Sequence, residues 1–303
     1  MQNIGDKISK LSKLFDLKKI TKIRPDKNYI QDYYKTNKIP YSVFHSKDNL
    51  IHMGVSSGRQ FKKTDLNYFS EQISSFIKTQ HSKVVLELGS GRGANSYYLA
   101  KKFPKSTFIG IDLSEAQLEF AKDYAALVDN LKFLKGDYHN LSAIKDNSID
   151  LCFTIEAFCY ATEPRIVLKE IHRVLKNNGL FYIADGYLRK KKKTLIYEEK
   201  VAKRLVEVGM AVEDIKQYDE LHSLIKTSGF RELYTEDVST GILPTLERFE
   251  RLAGVYLHLG PITRILNKFL PKKFVYNLFS GYLLKSAIQS GLASYMINIY
   301  TKK

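Results

Sequence analysis

From residue 83 to residue 185, short apolar runs alternate with helical periods, and this alternation leaves few folds open. KVVLEL (83–88), STFIGID (106–112), LKFLKGD (131–137), SIDLCFTI (148–155) and LFYIAD (180–185) read as strands. Two helical patterns sit between them. LSEAQLEFAKDYAAL opens with Ser114 and has Gln117 three residues on, a capping-box spacing, with Leu118, Ala121 and Ala125 on one face. TEPRIVLKEIHRVL has Pro164 in its first turn and Val167, Ile171 and Val174 as its buried stripe. Strands that alternate with helices predict an α/β fold, a parallel sheet covered on both faces. A further helical period (213–229) and two later strand patterns, FRELYTEDV (230–238) and ASYMINIYT (293–301), extend the sheet.

Two regions fall outside the rhythm. Residues 1–80 read as a helical N-terminal cover. Residues 239–290 interrupt the last two strands with apolar and basic helical segments, the place for a lid or a substrate wall. The predicted organisation is therefore a cover (1–80), a core (81–238), a helical insertion (239–290) and a final core strand (291–303).

The glycine turn LELGSGRGA follows the first strand and opens a helix. Glycines there let backbone approach a ligand, and the helix start offers free N–H groups. Gly89, Gly91, Gly93 and Ala94 also satisfy the dinucleotide spacing G-x-G-x-x-[G/A], so the turn alone is ambiguous. Three features resolve it. Glu87 precedes the first glycine by two residues. Asp112 ends the second strand, where a carboxylate can accept two ribose hydroxyls. Gly136 and Asp137 end the third.

With these motifs in register, the chain resembles class I S-adenosylmethionine (SAM) dependent methyltransferases over about 83–238 and 292–301. The resemblance implies a Rossmann-like seven-stranded, mostly parallel sheet with an antiparallel last strand. It implies SAM as cofactor, with the Glu87–Gly89 turn at the methionine end, Asp112 at the ribose and Asp137 at the adenine amine. Ser90, Gly91, Gly93, Leu113, Gln117, Gly136, Tyr138 and Ile155 complete the expected cofactor side. Arg92 is read as a solvated turn residue.

IEAFCYA, with EPRIVLKEIHRVLKNNGLFYIAD after it, resembles the corresponding stretch of sterol C-methyltransferases, with Tyr160 where that group has His. Glu156 ends the fourth strand at the carboxyl edge. Beside an alkene acceptor it would stabilise a carbocation, with aromatic faces, or take the proton lost afterwards. Beside a hydroxyl or amine it would orient or deprotonate the acceptor. The other readings are a structural ion pair with a lysine and binding of the SAM ammonium through the adjacent loop. In DYYKTNKIPYSVFHSKDNLIHMGVS (32–56) the resemblance places Tyr34 over the SAM carboxylate and His52, with Gly54, on the pocket wall. Glu156, Tyr160 and His52 are the catalytic candidates, and no metal site is expected.

The net charge of +16 predicts acidic partners, although lysine-rich composition alone would give the same balance. Amphipathic basic stretches give that charge a place: IGDKISKLSKLFDLKKI with Ile4, Ile8, Leu11 and Phe15 on one face, RKKKK (189–193), and PITRILNKFLPKKFVYNLFSGYLLK. They read either as peripheral contacts to an anionic membrane or as a lid packed on its own domain. Cys152 and Cys159 form neither a disulfide framework nor a C-x-x-C pair, which fits a reducing cytoplasmic setting. No signal-peptide pattern and no bilayer-length apolar run is read. No zinc module or RNA-binding signature is found, which makes nucleic acid an unfavoured partner. The expected function is SAM-dependent methyl transfer to a lipophilic small molecule, with isoprenoid- or sterol-like C-methylation favoured. O-methylation of a small acid or phenol, RNA methylation and a non-catalytic SAM-binding or membrane-associated partner role are the alternatives.

Overall fold

A computed structural model describes residues 3–303. The chain begins with α1 (Ile4–Ser12), capped by Asn3, then the short α2 (Leu17–Ile20), α3 (Lys27–Thr36) and α4 (Lys38–Pro40), and α5 (Tyr68–Gln80). The alternating unit follows: β1 (Val84–Leu88), α6 (Ala94–Lys102), β2 (Thr107–Asp112), α7 (Glu115–Ala125), β3 (Leu131–Lys135), β4 (Ile149–Ile155), α8 (Pro164–Val174) and β5 (Leu175–Leu188). Then come α9 (Tyr197–Met210), α10 (Tyr218–Thr227), β6 (Phe230–Asp237), the helices α11 (Leu243–Leu257), α12 (Pro261–Phe269) and α13 (Lys272–Gln289), and β7 (Ala293–Lys302).

The seven strands form one sheet in the order β3-β2-β1-β4-β5-β7-β6. β1 to β5 pair in parallel, and β7 runs antiparallel between β5 and β6. This is the mostly parallel sheet that the alternation and the resemblance predict. Its central strands are apolar on both sides because helices cover both faces. One core layer packs β-strand residues such as Leu86, Cys152 and Phe181 under α8 and α10; the other packs Val85, Phe108 and Phe153 under α5 and α6.

Several local expectations change. Ser114 is the N-cap of α7, but its hydroxyl makes no capping bond, and Gln117 turns instead to Arg92. The N–H of Ser114 is taken by Asp112, which replaces the capping box as the restraint on this turn. β5 begins at Leu175, directly after α8, rather than after the Asn-Asn-Gly turn. A register shift against β4 and a positive φ at Asn178 carry that turn inside the strand as a bulge. Residues 197–210 form α9, whose apolar face joins the cover.

The amphipathic N-terminus is an internal element. Ile4, Ile8 and Leu11 of α1 are buried with Leu205 of α9 and Phe279 and Leu283 of α13. Lys7, also buried, donates to Glu250 of α11 at 2.5 Å and to the Tyr282 carbonyl at 2.6 Å. The basic run 189–193 is partly neutralised, with Lys190 on Glu199 and Lys192 on Asp214. Among the described residues, no helix is long and apolar enough to cross a membrane.

The sheet face under the glycine turn is tightly filled. A Cβ on Gly110 of β2 would lie 2.5 Å from the Phe133 ring and 2.8 Å from the Cβ of Ser90. Gly110→Ala should therefore cost about 1–3 kcal/mol, read as a lower denaturation midpoint. An unchanged midpoint would contradict this packing.

Candidate active site

The strand order reverses between β1 and β4, and in open α/β sheets that crevice at the carboxyl ends of the strands is where ligands sit. A cavity of about 510 Å³ occupies it. β1, β2 and β3 supply one side. The turn after β4, the segment 30–53 and helices α11 and α13 supply the other.

On the first side the backbone bends through positive φ at Gly89 (+69°), Gly91 (+53°) and Gly93 (+80°). A Cβ added at Gly91 would meet nothing closer than Ile51 at 3.7 Å, so the space beside its backbone is open to a ligand. The Asp112 carboxylate is fixed by two backbone donors, Gly91 N–H at 2.7 Å and Ser114 N–H at 2.8 Å. Burial pushes its pKa up to about 6, against the pull of those two donors. Glu87 is buried and accepts from the Ser96 hydroxyl at 2.5 Å, and burial raises its pKa to about 8.

Gly136, Asp137, Tyr138, Leu113 and Ile155 also reach the wall. The Tyr138 hydroxyl donates to the Ala157 carbonyl at 2.7 Å. Asp137 is buried enough to raise its pKa, but Lys27 and the backbone and ring of His139 hold it down at about 2. Gln117 and Gly93 stand behind the wall. Gln117 accepts from Arg92 Nε at 3.1 Å, and a Cβ on Gly93 would strike Phe133 at 2.4 Å.

Arg92 is not solvated. It is 1% exposed, its guanidinium lies 4.2 Å from the Phe120 ring centre, and it donates to Ser42, Asn49 and the Lys38 carbonyl. It clamps the N-terminal cover onto the glycine turn. Sequence reasoning missed this because these partners lie 43 to 54 residues upstream.

On the second side, Glu156 adopts φ +49°, a left-handed conformation that a β-carbon disfavours. Its Oε1 accepts from Met53 N–H at 2.6 Å and from the Tyr295 hydroxyl at 2.9 Å, which leaves Oε2 without a hydrogen-bond partner among the described residues. Burial, with Asp185 nearby, raises its pKa to about 7 against those two bonds. No lysine pairs with it, so the structural ion pair is absent. Tyr295, from the last strand, carries no motif that would have marked it.

Tyr34 and Tyr160 meet hydroxyl to hydroxyl at 3.0 Å, and Tyr160 donates onward to the Met210 carbonyl at 2.8 Å. Both are cavity residues, as is His52. His52 Nδ1 lies 2.9 Å from the Met53 carbonyl and Nε2 3.2 Å from the Asn95 side chain, and burial lowers its pKa. A neutral ring donating from Nδ1 satisfies the Met53 contact, and Asn95 Oδ1 accepts from the Ser70 hydroxyl at 2.9 Å. His52 therefore braces the wall beneath Met53, whose N–H holds Glu156.

Two comparisons agree with this geometry. Residues 79–229 match a family model described as a methyltransferase domain. The sterol 24-C-methyltransferase of Saccharomyces cerevisiae is 29% identical over 163 residues, 53% of this chain and 42% of that protein. The chain thus matches less than half the length of that relative.

Residues 79–229 of this chain form a methyltransferase domain of the class I SAM-dependent kind.

Solved structures share its fold. The [4+2]-cyclase SpnF superposes with a TM-score of 0.72 at 18% identity, over 92% of this chain and 97% of that one. Geranyl diphosphate C-methyltransferase from Streptomyces coelicolor A3(2) gives 0.64 at 13% identity, over 91% and 97%. The cofactor of the family is SAM, and the residues present suit it. Ser90 Oγ and Ser114 Oγ are buried on the cavity wall without hydrogen-bond partners, in want of a polar ligand. Gly91 leaves room for its close approach.

If Asp112 accepts the ribose hydroxyls of this methyltransferase's cofactor, protonation must weaken binding. Affinity for S-adenosylhomocysteine should fall as pH drops through about 6. Asp112→Asn should weaken it about tenfold to a hundredfold and flatten that dependence, measured by titration calorimetry. Wild-type affinity in the variant would refute the assignment.

Proposed function

We propose that the protein methylates an alkene carbon of a neutral, lipophilic, isoprenoid- or sterol-like molecule. The observation that carries this is a partly unpaired carboxylate, Glu156, set in an aromatic and aliphatic wall that has no free cation. Tyr33, Tyr41, Phe44, Phe249, Leu252 and Leu284 are among its neighbours on the wall. Lys27 and Arg92 are the basic side chains there, and both are engaged, Lys27 by Asp137. Among the described residues no three His, Cys, Asp or Glu side chains gather to hold a metal ion. A diphosphate headgroup would find neither a free basic group nor a metal cluster in this wall. His45 adds one polar point. Its Nδ1 is buried without a partner, and burial holds the ring neutral with a pKa of about 3, so an acceptor hydroxyl would suit it.

Bound SAM supplies an electrophilic methyl group on a sulfonium. Tyr34, Asp112 and the glycine turn hold the donor, and the apolar wall excludes water and aligns the acceptor for in-line approach. A carbon–carbon bond forms as the sulfur–carbon bond breaks, and positive charge passes to the neighbouring acceptor carbon. Glu156 and the rings of Tyr34, Tyr41 and Tyr160 stabilise that charge. Glu156 then takes a proton from the adjacent carbon, and the electron pair of that C–H bond restores the alkene. A carboxylate with a pKa of about 7 is well matched to this role near neutral pH. The +16 balance of the chain fits peripheral contact with an anionic membrane, where such acceptors dissolve.

The test is methyl-labelled SAM with a cell lipid extract and, separately, mixed RNA. Label should enter neutral lipids by carbon–carbon bonding. Label in RNA, or an acceptor rearranged without label, would overturn the reading. Glu156→Gln should lower turnover about 10²–10⁴-fold and leave S-adenosylhomocysteine binding within about threefold. The same variant tests the electrostatics. The folded carboxyl titrates near 7 instead of its ordinary 4.5, so its ionisation opposes folding progressively as pH rises between those values. Relative to its value below pH 4, the stability advantage of the Gln variant at pH 8 should be about 3 kcal/mol. Equal stability at both pH values would contradict the buried charge.

A further inference from the structure

Most helices here bury their apolar faces, but α12 is reversed. Ile262, Ile265 and Phe269 recur at i, i+3 and i+7 and so share one side. They are 55%, 56% and 80% exposed, while Thr263 is buried with its hydroxyl on the Tyr256 carbonyl. Leu252 and Val255 on α11, and Leu259 in the turn that leads through Gly260 to α12, repeat the spacing. These three are exposed and also line the cavity, as does Phe44 beside exposed Ile39 and Val43. The mouth of the acceptor side is thus rimmed with aliphatic and aromatic groups that face water.

The charge around this rim is mostly basic. Residues 251–303 contain no Asp or Glu but include Arg251, Arg264, Lys268, Lys272 and Lys273. Lys273 reaches Asp32 and Arg264 the Lys13 carbonyl. Arg251, Lys268 and Lys272 form no ion pair within 4 Å among the described residues.

We propose that α12, the outer face of α11 and the segment 39–44 dock on an anionic lipid bilayer, with the cavity mouth opening into it. The apolar side chains would enter the boundary between headgroups and acyl chains, and the basic groups would meet lipid phosphates. A second copy of this chain is a poorer occupant, because pairing this face with itself sets like charges together. Delivery of the acceptor from bilayer to cavity without passage through water rests on the methyl-transfer reading. Docking does not, and a vesicle assay reads docking alone.

The experiment is sedimentation of the full chain with phosphatidylcholine vesicles, with and without phosphatidylglycerol, at low and high salt, beside Ile262→Asp/Ile265→Asp/Phe269→Asp. These three side chains lie off the cavity wall, so the variant should keep its thermal midpoint and its affinity for S-adenosylhomocysteine. Wild type should bind the phosphatidylglycerol vesicles and weaken with salt, and the variant should lose at least about tenfold in partition. Wild type remaining in the supernatant, or a variant that binds as well, overturns the proposal. So does a wild-type dimer that the variant dissolves, which would assign the face to a second copy. Loss of methyl transfer with vesicle binding intact would count against the catalytic reading and not against docking.

Discussion

The turns after β1 and β4 approach so closely that a methyl group on residue 89 would lie 2.3 Å from the Cβ of Ala157. Glycine at 89 is needed both for that gap and for its positive φ. Because the turns touch, the chain that follows each is placed relative to the other. Asp112, fixed through the N–H of Gly91, and Glu156, the residue before Ala157, thus become opposite walls of one cavity. The strand order makes the crevice, and this contact sets its shape.

The cover is held to that frame by buried polar side chains. Arg92 ties the glycine turn to residues 38–49, and Lys7 ties α1 to α11 and α13. Both lose hydration, which lowers their pKa values, and both recover hydrogen bonds. Glu156 is held by Met53 from the cover and Tyr295 from the last strand, so the acceptor side exists only when cover, core and final strand are assembled. Burial disfavours the charged forms of Glu87, Asp112 and Glu156 and raises their pKa values, the pattern of a candidate functional cleft.

Much of the core was legible because its signals are local. Apolar runs, a glycine turn and an acid at each strand end lie within a few residues of one another, and backbone periodicity places them. Gly89, Asp112 and Glu156 could be singled out on those grounds. Arg92 and Tyr295 could not, since their roles arise from partners 43 to 54 and 139 residues away. Amphipathic pattern left open which faces are covered. α1 and α12 both show apolar residues at helical spacing, yet α1 buries them and α12 exposes them. Periodicity reports that a face exists; tertiary packing decides what covers it. The capping box at Ser114 fails for a similar reason, because the neighbouring Asp112 and Arg92 claim its parts.

The central claim is that a SAM nucleoside lies at the carboxyl edge of this sheet with its sugar on Asp112 and its sulfur toward Glu156. A crystal structure of the protein with S-adenosylhomocysteine tests this directly. The account predicts ribose hydroxyls within hydrogen-bond distance of the Asp112 carboxylate and the sulfur facing the Glu156 side of the cavity. A nucleoside bound elsewhere, or one whose sulfur is walled off from Glu156, would contradict it.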